Sequence, residues 1–291
     1  HANTVTTNQG KIWMSGKSST VTNASNGDIF ITGNTSTVTN ANGGRIFITG
    51  HSASLATAQG TVNITGKQVT ITTASATVNI SGGNGCNNTV TTANGKVVMT
   101  GTNTVTTAND TVYVSGINTI TNASGIVNAS GVNTVTTANN TVYVSGINTI
   151  TTANGTVYVT GHANTITTAA GNTHITGYRN TVTTANGTVF ITGGNGATNT
   201  VTTASSTVII TGGNNTVTTA NGTVYASGIN TITTAQGTTN ASGVNTITTA
   251  QGTVNASGVN TVTTAEGTTN MSGTNTVTTA QGTTNMSGVN T

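Results

Sequence analysis

A unit of about fifteen residues recurs eighteen times along the chain, from the copy at Asn3 to the copy at Asn275, and one position of it is glycine in every copy, from Gly16 to Gly288. A period read so often is fixed far better than any single motif, and it limits the chain to architectures built by stacking. The copy Asn148–Gly161, NTITTANGTVYVTG, with its linking residue, shows the pattern. Counting Asn103 as position 1 and Ile117 as position 15, position 3 is Val, Ile or Leu between polar neighbours, and positions 10 and 12 are mostly apolar between polar or aromatic ones. Alternation with period two marks half-buried strands. Asn-Gly or Gln-Gly separates the runs, as at Asn94-Gly95 and Gln251-Gly252, and supplies the positive φ of a tight turn. At that corner Ala76, Asp110, Asn140 or Ser206 replaces glycine, whereas position 14 tolerates no replacement, so the second corner is expected to be sterically stricter.

Strands this short are not stable as lone hairpins, so each coil is expected to pair with the coils before and after it. The sequence therefore predicts an all-β chain: a single β-solenoid (β-helix) of about 18 coils with a 15-residue repeat, two short strands per coil and no evident caps, one continuous domain over residues 1–291. At about 4.8 Å per rung it would be a rod roughly 85 Å long. Stacking sets like on like, so asparagines at position 1, unbroken from Asn88 onward, are expected to form an amide ladder, with Thr at position 5 turned inward. Most extra residues follow the invariant glycine, including Gly83–Asn87 and Gly194–Thr198, which reads these inserts as loops on one edge, one of them carrying Cys86. In the last four coils Thr239, Ala241, Thr269, Met271, Thr284 and Met286 mostly replace Val at positions 10 and 12, so apolar burial should decline.

Composition narrows function mainly by exclusion. Charged residues are 3% of the chain, against about 25% in ordinary domains. The abundance of β-branched residues and the low net charge still favour order. Six Lys and Arg spread along the chain are too dilute to track phosphates, so no nucleic acid is expected as a partner. No apolar run approaches the roughly 20 residues of a span, so no membrane insertion is expected. One cysteine gives no internal disulfide framework, and with so few charges an extracellular or cell-surface setting is expected. The chain opens on His1 and halts at Asn290-Thr291, two positions into a further copy, with no polar cap at either end. Open strand edges pair with matching edges, so head-to-tail self-association is expected.

Catalytic constellations fail on spacing. The only acids are Asp28, Asp110 and Glu266, the nearest two about five rungs or ~24 Å apart, beyond the ~10 Å of a glycosidase pair. His162 and His174 fall in adjacent coils but at positions 15 and 11, and no cysteine or acid joins them. Cys86 has no placed base and reads as an inert or crosslinking thiol. The chain is accordingly expected to be no enzyme, with no catalytic residue, no metal site and no cofactor.

The sharpest signal is Thr-x-Thr at positions 2 and 4, present in seventeen of eighteen coils, with Ser54 and Ala56 the exception. A candidate ice-binding or packing face comprises Thr104 and Thr106, Thr119 and Thr121, Thr134 and Thr136, Thr149 and Thr151, Thr165 and Thr167, and Thr181 and Thr183. The array resembles the Thr-x-Thr face of the β-solenoid ice-binding proteins of insects and the Asn-x-Val repeats of ryegrass ice-recrystallisation inhibitors, without the disulfides of the beetle proteins. That resemblance implies a face that orders water in an ice-like lattice. In its Thr/Asn/Gly/Val composition and unbroken period the chain also resembles the β-solenoid shafts of filamentous adhesins and extracellular fibres. Trp13, Phe30, Phe47, Tyr113, Tyr143, Tyr158, Phe190 and Tyr225, all at position 11, are candidate lateral contacts for a neighbour or a glycan. The expectation is a structural, filament-forming extracellular β-solenoid, with ice binding as the alternative. Asn240, Asn255, Asn270 and Asn285 lie in Asn-x-Ser sequons on successive coils, a spacing too tight for a glycan on each.

Overall fold

The computed structural model describes every residue except Asn8, Ala24, Ser25, Asn26, Ala41, Asn42, Ala76 and Asn84; for position 6 of each coil, and position 5 of the first eight, no side chain is described. The corner at Ala76 and the inward position-5 residues of those eight coils therefore lie outside the described residues. The chain is an all-β parallel β-solenoid whose residues pair with their equivalents about 15 positions on, as Val112 does with Val127. It comprises two compact units, His1–Ser145 and Gly146–Thr291.

In the first unit β1 (Ala2–Thr7), β2 (Ile12–Asn23), β3 (Ile29–Asn40) and β4 (Arg45–Gln59) pair in parallel, with Val5 against Val21 and Trp13, Phe30 and Phe47 in one file. β2 and β3 run unbroken from position 10 of one coil, through the glycine corner, to position 5 of the next. Pairing of Gly16 with Gly33 keeps the corner itself in the ladder. Two short strands per coil appear where neighbouring coils differ in length at that corner: β5 (Thr61–Thr65) and β6 (Gln68–Ser75), then β7 (Val78–Ser81) and β8 (Asn87–Asn94). β9 (Val97–Asn109) and β10 (Val112–Ser124) are continuous again, and β10 pairs with the start of β11 (Val127–Thr192). In the second unit the end of β11 pairs with β12 (Thr198–Asn290), Asn180 against Asn199 and Phe190 against Ile209.

Positions 3, 10 and 12 form the apolar core in both units, as Val105, Val112 and Val114 do in one coil and Ile150, Val157 and Val159 in another. Position 1 is buried beside them and carries the amide ladder. Asn103 Nδ2 donates to Asn118 Oδ1 at 2.8 Å and also reaches the carbonyl of Ser115, position 13 of its own coil, at 3.2 Å. Asn215 repeats the arrangement in the second unit, with Asn230 Oδ1 at 2.9 Å and the Ser227 carbonyl at 3.2 Å. One carboxamide thus closes a coil and joins it to the next. Before Asn88, position 1 is Asn3, whose Nδ2 donates to the Ser15 carbonyl at 3.1 Å, and then Ser19, Ser36, Ala53 and Val69; the Asn88 Oδ1 atom, opposite Val69, is left without a partner.

The glycine at position 14 answers two demands. Where one linking residue follows it, φ is positive, +116° at Gly116 and +110° at Gly131. At Gly33 and Gly50, each followed by two linking residues, φ is not positive, yet a Cβ would still collide with the carbonyl oxygen of the preceding corner glycine. At Gly33 and Gly50 contact between stacked corners thus excludes a side chain without any demand from backbone conformation. At the first corner a Cβ at Gly187 would likewise meet the Gly171 carbonyl with no positive φ involved, yet Asp110, Asn140 and Ser206 stand at that corner in other coils, so there the contact does not by itself impose glycine. Gly116→Ala is expected to destabilise the first unit by about 2 to 3 kcal/mol. Gly83, with open space where its Cβ would go, should accept Ala with a change within about 0.5 kcal/mol, both read from urea midpoints.

The inward threonines at position 5 differ in their partners, and a Thr at position 10 does not by itself supply one: Thr168 and Thr173 share a coil and both leave a buried Oγ1 unpaired. In the coils of Thr219 and Thr249 position 10 is Val, and their buried Oγ1 atoms have no partner. In the coils of Thr264 and Thr279 position 10 is Thr, and the hydroxyls meet across the core, Thr264 with Thr269 at 3.1 Å and Thr279 with Thr284 at 3.2 Å. The loss of Val toward the last coils is therefore partly offset by a hydrogen bond. Thr249→Val should raise stability by about 1 kcal/mol by removing an unpaired buried hydroxyl, and Thr264→Val should lower it by about 1 to 2 kcal/mol by orphaning Thr269. A fall in the urea midpoint of Thr249→Val would contradict this account.

Candidate functional site

A strand built as Thr-Val-Thr buries its central residue and turns both hydroxyls outward. All twelve candidate threonines from Thr104 to Thr183 are exposed. In the first unit Thr104, Thr119 and Thr134 form one file and Thr106, Thr121 and Thr136 a second. In the second unit Thr149, Thr151, Thr165 and Thr167 are exposed on either side of the buried Ile150 and Ile166. Further along, Thr181 and Thr183 continue onto Thr200 and Thr202. Parallel pairing sets the rungs about 4.8 Å apart, and two residues along a strand separate the files by about 6.6 Å. Within each unit the face is a two-dimensional lattice of hydroxyls and methyls with no titratable group in either file. Its interruption lies at Ser54 and Ala56, which pair with Thr37 and Thr39 on one side and Thr70 and Thr72 on the other.

A third file flanks this lattice. Continuous with the Thr strand, residues 229–234 alternate exposed and buried, as do 244–249 and 259–264, so position 15 shares the outward side with positions 2 and 4. It carries exposed aliphatics, Ile229 at 55%, Val244 at 49% and Val259 at 53%, with Ile117 and Val132 in the first unit. The repeated text Ile/Val-Asn-Thr-Ile/Val-Thr held this signal. Counting from the asparagine left it in the linker.

On the other side the aromatic residues of position 11 stack on one another. Trp13 and Phe30 lie 4.1 Å apart and Phe30 and Phe47 5.0 Å apart, nearly parallel. In the second unit His174 stacks between Tyr158 and Phe190 at 4.9 and 4.7 Å. Because the rings face along the stack, they offer mainly their edges to a lateral neighbour. Tyr113 lies beneath Lys96, whose ammonium is 4.9 Å from the ring, while Tyr143 and Tyr225 are exposed.

The remaining polar groups fall into separate places. His162 stacks on Tyr178 at 5.2 Å, away from the stack that holds His174, and no group of three or more His, Cys, Asp or Glu gathers among the described residues. Cys86 is buried, its side chain folded back against Gly82, and Ala197 takes the same place in the other insert. Burial makes it a packing residue rather than an accessible thiol. At position 9, Arg45 Nη2 meets Asp28 Oδ2 at 2.7 Å, and hydrogen bonds from Arg45 hold the Asp28 carboxyl below its ordinary value. Its small stabilisation is present above the ordinary carboxylate pKa and is lost as pH falls through the lowered one.

No protein family, curated protein or solved structure matches the chain. The bearing on function comes from its surfaces alone.

Position 11 of the last four coils carries a second ladder: Asn255 donates to Asn240, Asn270 to Asn255 and Asn285 to Asn270, each at 2.9 Å. Amides in contact leave no room for a sugar on every rung. Expressed in a host that glycosylates Asn-x-Ser, the chain should carry glycans on at most two of these four residues by intact mass. Sugars on all four would contradict the stacking register.

Proposed function

We propose that this chain is an extracellular, non-catalytic β-solenoid whose Thr-x-Thr face binds ice. The observation that carries the reading is the pair of exposed threonine files in register coil after coil, beside an opposite side whose residues vary freely. A rigid array at rungs of about 4.8 Å holds water in a lattice close to that of an ice face, and the methyls exclude competing water orientations. The resemblance to insect ice-binding solenoids supports the same surface. The aliphatic file at position 15 widens it.

A second reading, the shaft of an extracellular filament or adhesin, is favoured by the buried amide ladder. Each coil offers the next one the donor that it accepts from the last, so the stack is self-complementary and suited to head-to-tail association.

Purified protein should shape ice into faceted crystals and show thermal hysteresis. Thr151→Tyr, which places a ring above the lattice, should reduce the hysteresis several-fold while leaving the circular dichroism spectrum and unfolding midpoint unchanged. Activity should be flat between pH 4 and 9, because neither Thr file contains a titratable group. Unshaped ice with the folded protein, together with fibres by electron microscopy, would discard ice binding in favour of the shaft.

A further inference from the structure

An open groove of about 820 Å³ runs along the second unit, lined by positions 11 to 13 of consecutive coils and separate from the Thr face. One wall is the surface ladder Asn240–Asn255–Asn270, the other the serine file that includes Ser242 and Ser257, and the aromatic ring of Tyr225, 47% exposed, stands at one end. Between the two walls lies position 12, where the side chains of Ala241 and Ala256 are buried, so little rises between the outward files. We propose that this groove binds an extended, uncharged polysaccharide of β-1,4-linked hexoses lying along the stack.

The chemistry of the lining selects this ligand. Each inner asparagine uses one N–H and one carbonyl lone pair in the ladder and keeps one of each for a ligand. The serines add a hydroxyl per rung, so the groove offers mixed donors and acceptors at about 4.8 Å intervals. Sugar hydroxyls answer both kinds. No charged side chain lines the groove, which disfavours anionic polymers, since these need Lys or Arg to neutralise them. A peptide lying along the groove would advance about 3.3 Å per residue, out of step with the single rung of about 4.8 Å, and its side chains would find no charged partner there. A β-1,4-linked hexose chain is a flat ribbon whose residues each advance by nearly one rung and are turned over alternately, so every second sugar meets an equivalent amide and hydroxyl two rungs on. Tyr225 provides an apolar ring against which a terminal sugar packs.

The test uses the full chain produced without N-glycosylation, titrated calorimetrically with cellohexaose and β-1,4-mannohexaose, and with laminarihexaose and maltohexaose as linkage controls. At least one β-1,4 hexamer should bind, unaffected by raising the salt, with both controls at least tenfold weaker. Ser257→Trp, which fills the groove from an exposed position, should weaken binding at least tenfold, and Ser257→Ala should stay within threefold of the parent. An unchanged unfolding midpoint in Ser257→Trp assigns its loss to the groove; if that midpoint falls, Tyr225→Ala replaces it and must weaken binding at least threefold. Absence of binding to both β-1,4 hexamers at millimolar concentration, preference for either control, or binding indifferent to the groove substitutions would overturn the proposal.

Discussion

From Asn88 onward the buried carboxamide at position 1 is the interaction that closes each coil and joins it to the next. A coil of some fifteen residues encloses too few apolar atoms to hold its own corner shut, and a corner carbonyl buried without a partner costs about 1–3 kcal/mol. The asparagine nitrogen supplies that partner: in the coil of Asn245 it reaches the Ser257 carbonyl at 3.1 Å while also donating to Asn260 at 2.7 Å. The stacked glycine corners beside it are close with or without that amide: Gly33 and Gly50 lie on the preceding corner in coils that open with Ser19 and Ser36, as Gly116 does in the coil of Asn103.

Much of this was legible in the sequence because the period multiplied weak signals. Alternation gave the parallel stack and its register, and the unbroken asparagines from Asn88 gave the ladder. The physical reason for the glycines was not legible: turn chemistry suggested positive φ, whereas Gly33 and Gly187 are held by contact with a neighbouring coil that no local pattern displays. The cross-core bond between Thr264 and Thr269 was hidden for the same reason, since it joins the two strands of one coil through its interior. Of the candidate face, the outward direction of Thr165 and Thr167 followed from alternation alone, while the aliphatic file beside it did not, because the corner glycine interrupts the pattern. Outward aromatics were legible as outward, but their stacking followed only from knowing that the coil-to-coil step is close to the thickness of a ring. Cys86 read as a loop residue because its insert is polar, and its burial follows from the way the insert folds back onto Gly82.

The two sides of the solenoid differ in regularity. The threonine files repeat from rung to rung, Ser54 and Ala56 excepted, as recognition of a partner that is itself a lattice would require. In the second unit the position-11 side changes from the stacked rings of Tyr158, His174 and Phe190 to the row of amides that begins at Asn240. Within the second unit, composition along the axis therefore sets where a partner would sit, while composition around the coil sets what kind of partner it would be.

The ladders also give the fold an electrical direction. In the second unit the rungs of the buried ladder point their N–H toward higher residue numbers, Asn148 to Asn164 and Asn260 to Asn275 among them. The surface ladder of Asn285, Asn270 and Asn255 points the opposite way. The buried orientation is no accident of placement, because the same nitrogen faces a backbone carbonyl, which can only accept. Aligned amides in a low-dielectric interior polarise one another and add, much as peptide units do along a helix. In a chain with so few ionisable side chains, little opposes that sum except the antiparallel row outside. This β-solenoid unit is accordingly an axially polarised body.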